Sequence, residues 1–188
     1  MSVLEELKKE CLSCTACPLR KGARQVVFGV GNESARIMLV GEGPGEQEDI
    51  QGEPFVGKSG QLLDKYLSLV DLDRNTNVYI ANIVKCRPPM NRDPKEDEQD
   101  ACIGFLRQQF ALIQPQIVVC LGRIAAKRII DPDFRITKEH GQWRCRNGIW
   151  MTALYHPSAL LRDPQKRPET FDDLLEIRKK LKEIHADI

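Results

Sequence analysis

Short apolar runs alternate along this chain with segments of helical period, and this alternation constrains the fold more than any other feature. Buried strands are predicted for residues 36–40, 78–84, 117–122 and 150–154. Helices are predicted for residues 3–11, 60–70, 96–113, 123–130 and 170–186, with Ser59 as the N-cap of the second. The pattern is typical of an α/β sandwich with a mostly parallel sheet.

Polar, turn-rich segments follow three of the predicted strands. They are residues 41–45, 82–89 and 155–158. In open parallel sheets, ligands bind at the carboxyl ends of the strands. The three segments are therefore expected to converge on one edge of the sheet and to form a site there.

The length and charge of the chain exclude several classes of protein. The 188 residues include 28 basic and 27 acidic side chains, for a net charge of +1. This length suits a single domain over residues 1–188, and the balanced charge excludes a disordered polyelectrolyte and a uniformly basic nucleic-acid-binding surface. Because there is no run of about 18 apolar residues and the N-terminus is acidic, we expect a cytoplasmic protein without a membrane segment.

The seven cysteines indicate metal ligands or core residues rather than a disulfide framework, since the expected compartment is reducing. Cys14-x-x-Cys17 is a standard half-site for zinc or an iron–sulfur cluster. Cys86 and Cys102 are too far apart in sequence for the second close pair of a zinc ribbon. Four thiolates from distant segments can instead surround a cubane cluster. The predicted ligands are therefore Cys14, Cys17, Cys86 and Cys102.

The other three cysteines have no predicted function. Cys11 lies on the apolar stripe of the first predicted helix, and Cys120 lies inside a predicted strand. Both are therefore expected in the core, where a free thiol packs as a small apolar group. Cys145 lies between two arginines in a turn or edge strand, and nothing in the sequence gives it a role.

Residues 52–59 match the phosphate-binding pattern G-x-x-x-x-G-K-[ST], but their surroundings contradict that function. A phosphate loop follows a strand and presents free backbone N–H groups. Here residues 46–51 do not read as a strand, and residues 42–53 carry five acidic side chains and no basic one. Pro54 also removes one N–H donor. The sequence therefore argues against nucleotide hydrolysis.

Three long motifs, together with the cysteines, resemble those of the family 4 uracil-DNA glycosylases. The motifs are residues 41–63, 82–92 and 156–162. The resemblance implies a three-layer α/β/α sandwich and a [4Fe-4S] cluster on the four predicted cysteines, with segment 1–35 helping to hold it. It also implies hydrolytic removal of uracil from single- or double-stranded DNA in base-excision repair. We expect a monomer that hands its product to downstream repair proteins.

Given this resemblance, four side chains match the needs of uracil excision. The carboxamide of Asn82 offers a donor and an acceptor to the O4/N3–H edge of uracil. Phe55 offers a flat surface for the extruded base, and His156 is expected to donate to uracil O2 as negative charge develops there. The predicted uracil-binding residues are Glu42, Gly43, Pro44, Phe55, Asn82 and His156, with Glu48 and Asn91 as supporting partners.

Glu42 is expected to orient or activate the attacking water. The family 1 glycosylases are similar in this motif but place an aspartate where Gly43 stands here. The general base of that family is thus absent, and Glu42 is the candidate substitute. The alternative role for Glu42 is that of a loop acid that accepts backbone hydrogen bonds.

Residues 85–95 carry four basic side chains and one acidic one, and are a candidate DNA-contacting segment. After His156, a leucine can enter the gap that an extruded base leaves, with Arg162 on the backbone. Leu160 or Leu161 is the candidate wedge, and the alternative is that both begin a packed turn. The predicted DNA contacts are Arg87, Arg92, Ser158, Leu160 and Arg162.

Besides the nucleotide hydrolase suggested by residues 52–59, two further readings remain beside the glycosylase. A sibling group binds uracil-DNA covalently through an inserted basic loop that bears a histidine, and residues 88–98 contain neither histidine nor insertion. A non-catalytic iron–sulfur or zinc DNA-binding module of the same fold is the other. Such a module has no need of Glu42, Asn82 and His156 together.

Overall fold

A six-stranded mixed sheet forms the centre of the molecule in the computed structural model, which describes residues 2–186, with side chains up to residue 184. The strands are β1 (Val30–Gly31), β2 (Ile37–Gly41), β3 (Val78–Asn82), β4 (Ile117–Leu121), β5 (Arg144–Arg146) and β6 (Ile149–Leu154). Their order is β1-β3-β2-β4-β6-β5. The four central strands are parallel, and β1 and β5 pair antiparallel at the two edges.

Helices cover both faces of this sheet. They are α1 (Val3–Leu12), α2 (Leu19–Gly22), α3 (Glu46–Gln51), α4 (Lys58–Leu69), α5 (Glu96–Ile113), α6 (Arg123–Ile129), α7 (Ile136–Glu139), α8 (Pro157–Arg162) and α9 (Arg167–Ala186). Helices α1, α5 and α6 pack on one face, and α4 and α9 pack on the other. The predicted three-layer α/β/α sandwich with a mostly parallel sheet is confirmed.

The two-residue period of the strands builds two separate cores. In β2, Met38 and Val40 join the core under α1, α5 and α6, whereas Ile37 and Leu39 join the core under α4 and α9. Successive side chains of a strand point to opposite faces, so a strand covered on both faces reads as a continuous apolar run. This is why the central strands were predictable.

The long helices lie close to their predicted bounds, and the short ones were missed. Helices α2, α3, α7 and α8 span six residues or fewer, too few for a helical period to be recognised. Helix α4 begins at Lys58 with Gly57 as its N-cap, so the prediction of Ser59 as N-cap was wrong. In the described part of the chain, no helix has the length and apolar character needed to cross a membrane.

Candidate active site

A cavity of about 250 Å³ opens at the carboxyl ends of the parallel strands, where the sequence predicted a site. The side chains around it come from the ends of β2, β3 and β6 and from the loops that follow them. Its lining includes Glu42, Gly43, Pro44, Gly45, Glu48, Phe55, Ser59, Asn82, Pro88, Asn91, Arg92, Pro94, His156, Ser158 and Arg162. The structure thus brings all six predicted uracil-binding residues together.

Asn82 is the last residue of β3, lines this cavity and carries an unsatisfied acceptor. Its side chain is 2% exposed, and its Oδ1 has no hydrogen-bond partner among the described residues. A buried polar atom without a partner costs about 1–3 kcal/mol, and such atoms are rare in native proteins. The orphaned oxygen is accounted for if a ligand supplies the missing donor.

Gly41 pairs with Asn82 across β2 and β3 and was missed by the sequence analysis. A Cβ on Gly41 would lie 2.5 Å from Asn82 Oδ1 and 2.6 Å from the ring of Phe55. Glycine is therefore required here so that the amide and the ring can approach the same point. Its place at the end of an apolar run, before Glu42, was the signal that could have identified it.

Phe55 presents its ring to the cavity from a strained backbone position. Its φ is 54°, in the left-handed region that bulky residues rarely adopt. The ring is 6% exposed, and its centroid lies 5.6 Å from that of His156. An aromatic face and an imidazole thus border the same space.

Glu48 occupies the place that a phosphate would take in the loop of residues 52–59. Its Oε1 accepts hydrogen bonds from the N–H groups of Val56 and Gly57, both at 2.9 Å. These donors are the ones a phosphate cradle would need, and a carboxylate of this chain already satisfies them. The loop serves to hold Phe55 and is not a nucleotide site.

His156 is the N-cap of α8 and is held as a neutral imidazole. Its Nδ1 accepts a hydrogen bond from the Ser158 N–H at 3.1 Å and lies 2.8 Å from Ser158 Oγ. Burial, with a contribution from Arg162, lowers its pKa to about 4. Since Nδ1 accepts, the proton of the neutral ring is on Nε2, where it serves as a hydrogen-bond donor.

Glu42 follows β2 and lies beside His156. A Cβ placed on Gly122 would be 2.9 Å from Glu42 Oε1 and 3.0 Å from His156 Cβ. Burial raises the pKa of the Glu42 carboxyl, as does nearby Asp93, while Arg123 and the backbone N–H of Ile124 oppose the increase. A carboxylate with a raised pKa at a cavity wall is suited to accept a proton.

The basic residues of segment 85–95 are mostly engaged within the protein. Lys85 is 1% exposed and donates from Nζ to Gln109 Oε1 at 2.6 Å, so it is not available to DNA. Arg92 binds both carboxylate oxygens of Glu98, at 2.6 and 2.8 Å. Arg87 donates to Asn91 Oδ1 at 2.8 Å and does not line the cavity.

Leu160 is misplaced for the predicted contact with DNA. It lies on α8 and is 1% exposed, packed inside the protein. Leu161, one residue further on, is 40% exposed. Its burial rules Leu160 out as the wedge, and Leu161 stays a prediction, because a helix turns neighbouring side chains to different faces. Ser158 and Arg162 line the cavity as expected.

All four cysteines predicted as ligands, together with Cys11, line a second, small cavity between the N-terminal segment, the loop after β3 and α5. Cys11 is fully buried, as predicted, but its place beside the other four was not foreseen. Backbone N–H groups of Lys85 and Ala16 donate to the sulfurs of Cys102 and Cys14, at 3.3 and 3.5 Å.

These thiols are not arranged for a single metal ion. Within residues 2–186, no three His, Cys, Asp or Glu side chains converge closely enough to ligate one ion. Burial, and the neighbouring Cys102, raise the pKa of Cys86 to about 12, and burial also raises the pKa of Cys102. Metal ligation requires thiolates, so a bound cationic group would have to release these protons.

Comparison with known proteins places the chain in a family. The sequence profile of the Uracil DNA glycosylase superfamily matches residues 28–182. A type-4 uracil-DNA glycosylase from Archaeoglobus fulgidus is 42% identical over 94% of this chain and 92% of its own length. Those from Sulfurisphaera tokodaii and Thermotoga maritima are 42% and 44% identical over 95% and 86% of this chain, and over 84% of their own lengths. The chain therefore belongs to the type-4 uracil-DNA glycosylases.

Proposed function

We propose that this protein hydrolyses the N-glycosidic bond of deoxyuridine in DNA, releases uracil and leaves an abasic site for base-excision repair. The observation that carries the proposal is the buried Oδ1 of Asn82, which lacks a donor in a cavity bordered by an aromatic ring and a neutral histidine. The names of the type-4 relatives support the same substrate.

Recognition follows from the donor and acceptor pattern of the extruded base. Uracil presents an N3–H donor to the orphaned Oδ1 of Asn82 and an O4 acceptor to its Nδ2. Cytosine presents an unprotonated N3 and an amino group, so both groups of the amide would face like partners. A site that leaves buried polar groups unpaired rejects the wrong base strongly. The base is extruded to reach the cavity, and the ring of Phe55 stacks on it.

Bond cleavage moves the electron pair of the glycosidic bond onto the uracil ring. The Nε2–H of His156 donates to uracil O2, where negative charge accumulates, and this interaction strengthens in the transition state. Glu42 orients the water whose oxygen bonds to C1′ and accepts its proton. The departing uracil anion then takes up a proton. Gly43 and Pro44 complete the wall of the cavity.

The small cavity lined by Cys14, Cys17, Cys86 and Cys102 fits a [4Fe-4S] cluster. Four sulfurs around one space, with backbone N–H donors aimed at two of them, are a donor set of the iron–sulfur type. When bound, such a cluster would supply a structural link between segment 1–35, the loop after β3 and α5.

The expected surroundings of the enzyme complete the proposal. The substrate is single- or double-stranded DNA, with Ser158 and Arg162 in the cavity lining and the exposed Leu161 beside Arg162 in the chain. No cysteine within residues 2–186 is in a disulfide, and the reducing cytoplasm is the proposed compartment. The enzyme would act as a monomer that passes the abasic site to downstream repair proteins.

Incubation with uracil-containing oligonucleotides tests the function directly. We expect free uracil and an alkali-labile abasic site from single- and double-stranded substrates. No release at any enzyme excess would contradict the proposal. An adduct that resists detergent would favour the covalent sibling group, and binding without cleavage would favour a non-catalytic module.

A further inference from the structure

Arg74 lies in the turn between α4 and β3, outside the cavity lining, yet its guanidinium is fully engaged beneath the Phe55 loop. Its Nη1 donates to the carbonyl of Pro54 at 2.8 Å and its Nη2 to the carbonyl of Phe55 at 2.7 Å. Its Nε donates to Asp64 Oδ1 at 2.8 Å. The side chain is only 11% exposed. A guanidinium held at every nitrogen is a rigid brace.

The brace contacts Phe55, a bulky residue of the cavity lining whose backbone is strained. A left-handed φ in a bulky residue persists only where the surroundings over-determine it. At Phe55, the carbonyls of residues 54 and 55 are held by Arg74, and the N–H groups of residues 56 and 57 are held by Glu48. The two side chains thus fix the peptide groups on both sides of Phe55.

Helix α4 restricts the backbone of Phe55 from a further side. A Cβ on Gly60 would lie 1.9 Å from the Phe55 carbonyl oxygen, so α4 packs directly under that carbonyl. Asp64, on the same helix, orients Arg74 through its carboxylate. Helix α4 and Arg74 together fix the position and orientation of the Phe55 ring.

We infer that Arg74 is a positioning residue for uracil excision, which acts through Phe55 by fixing the backbone that presents the ring to the base. This inference rests on the proposed function, in which Phe55 stacks on uracil. Stacking is present in the bound substrate and in the transition state alike. Loss of the brace should therefore weaken substrate binding more than it slows the chemical step.

Steady-state kinetics of Arg74→Gln on an oligonucleotide with one uracil test this. We expect KM to rise about 10- to 100-fold, the scale of a lost base–aromatic stacking contact, while kcat changes less. A merely structural role would lower the folded fraction, and so lower the apparent kcat at unchanged KM; that pattern would overturn the inference. Arg128→Gln, which breaks a surface pair with Asp100, is the matched control and should keep both constants.

A double-mutant cycle with Phe55→Ala supplies the second readout. If Arg74 acts through Phe55, Arg74→Gln should change KM little once the ring is gone, and an undiminished effect would contradict the inference. Arg74→Lys keeps the charge and one donor, so its KM should lie between those of the wild type and Arg74→Gln. An active wild type with an unaltered Arg74→Gln overturns this role alone, whereas an inactive wild type overturns the proposed function and this role with it.

Discussion

At the residue scale, the proposed recognition of uracil depends on the amide of Asn82, which is buried and unpaired on its acceptor side. We predict that Asn82→Asp lowers uracil release about 10- to 100-fold, because an ionised carboxylate can accept from N3–H but cannot donate to O4 (~1–3 kcal/mol for a buried group left without its partner). A buried carboxyl also tends to protonate, and its O–H can then donate to cytosine N3.

The ratio of uracil to cytosine release should consequently fall in this variant. Single-turnover rates on matched oligonucleotides measure it, with Asn75→Asp as the control because Asn75 is an exposed residue of the turn before β3. Unchanged selectivity in Asn82→Asp would remove Asn82 from the recognition of the base.

The acid limb of the pH profile is predicted to belong to Glu42. Burial raises the pKa of its carboxyl, and a general base works only when ionised, so kcat/KM should fall with decreasing pH from a point above the usual range of a glutamate. His156, whose pKa is lowered to about 4, stays a neutral donor through that range. Glu42→Gln should lower kcat/KM about 10²- to 10⁴-fold at neutral pH and abolish the acid limb.

The matched variant is Glu46→Gln, which alters an exposed glutamate of α3 and should keep both rate and limb. Persistence of a wild-type acid limb in Glu42→Gln would show that another group titrates. The sequence marked Glu42 and His156 by their place after strands. The pKa directions depend on burial and on Asp93, Arg123 and Arg162, which only the folded chain brings near.

At the element scale, α4 has to pass close beneath the Phe55 loop, and Gly60 is the residue that permits it. Alanine normally improves a helix over glycine by about 0.5–1 kcal/mol. Here the added methyl would lie 1.9 Å from the Phe55 carbonyl oxygen, and such overpacking costs about 1–3 kcal/mol. We predict that Gly60→Ala lowers the free energy of unfolding and raises KM.

Gly104→Ala is the natural comparison. Gly104 lies within α5, and nothing stands within 4 Å of the Cβ it would carry. The free energy of unfolding of this variant, measured in urea, should be about 0.5–1 kcal/mol higher at an unchanged m value, and its catalysis should be unchanged. Equal effects of the two substitutions on the free energy of unfolding and on KM would mean that the Phe55 loop moves away from α4 at little energetic cost.

The elements that were predictable are those whose pattern is local. The apolar runs of β2 and β4 and the period of α5 stand in the sequence itself, and the rule for strand ends then located the site. What was missed depends on contacts between distant residues. Lys85 donates to Gln109 on α5. Leu160 is buried on α8, and Arg74 donates to the carbonyl of Phe55. No spacing pattern in the sequence predicts these contacts.

At the scale of the whole molecule, the cysteine cavity joins three separate parts of the chain. Cys14 and Cys17 belong to the N-terminal segment, Cys86 follows β3, and Cys102 lies on α5. A group that binds only the folded chain stabilises it by mass action, by about 3 kcal/mol or more when its free concentration is a hundred times its Kd. The link would therefore contribute to stability without touching the reacting base.

We predict that Cys86→Ser and Cys102→Ser lose iron and visible absorbance and unfold at lower temperature, whereas Cys145→Ser, at an exposed edge-strand position, keeps all three properties. Iron and sulfide per chain, the visible spectrum and the Tm measure this. Because the cavity is separate from the uracil site, the residual folded fraction should keep the KM of the wild type. A colourless wild type that contains zinc would refute the cluster, and a raised KM in the folded fraction would show that the two cavities are coupled.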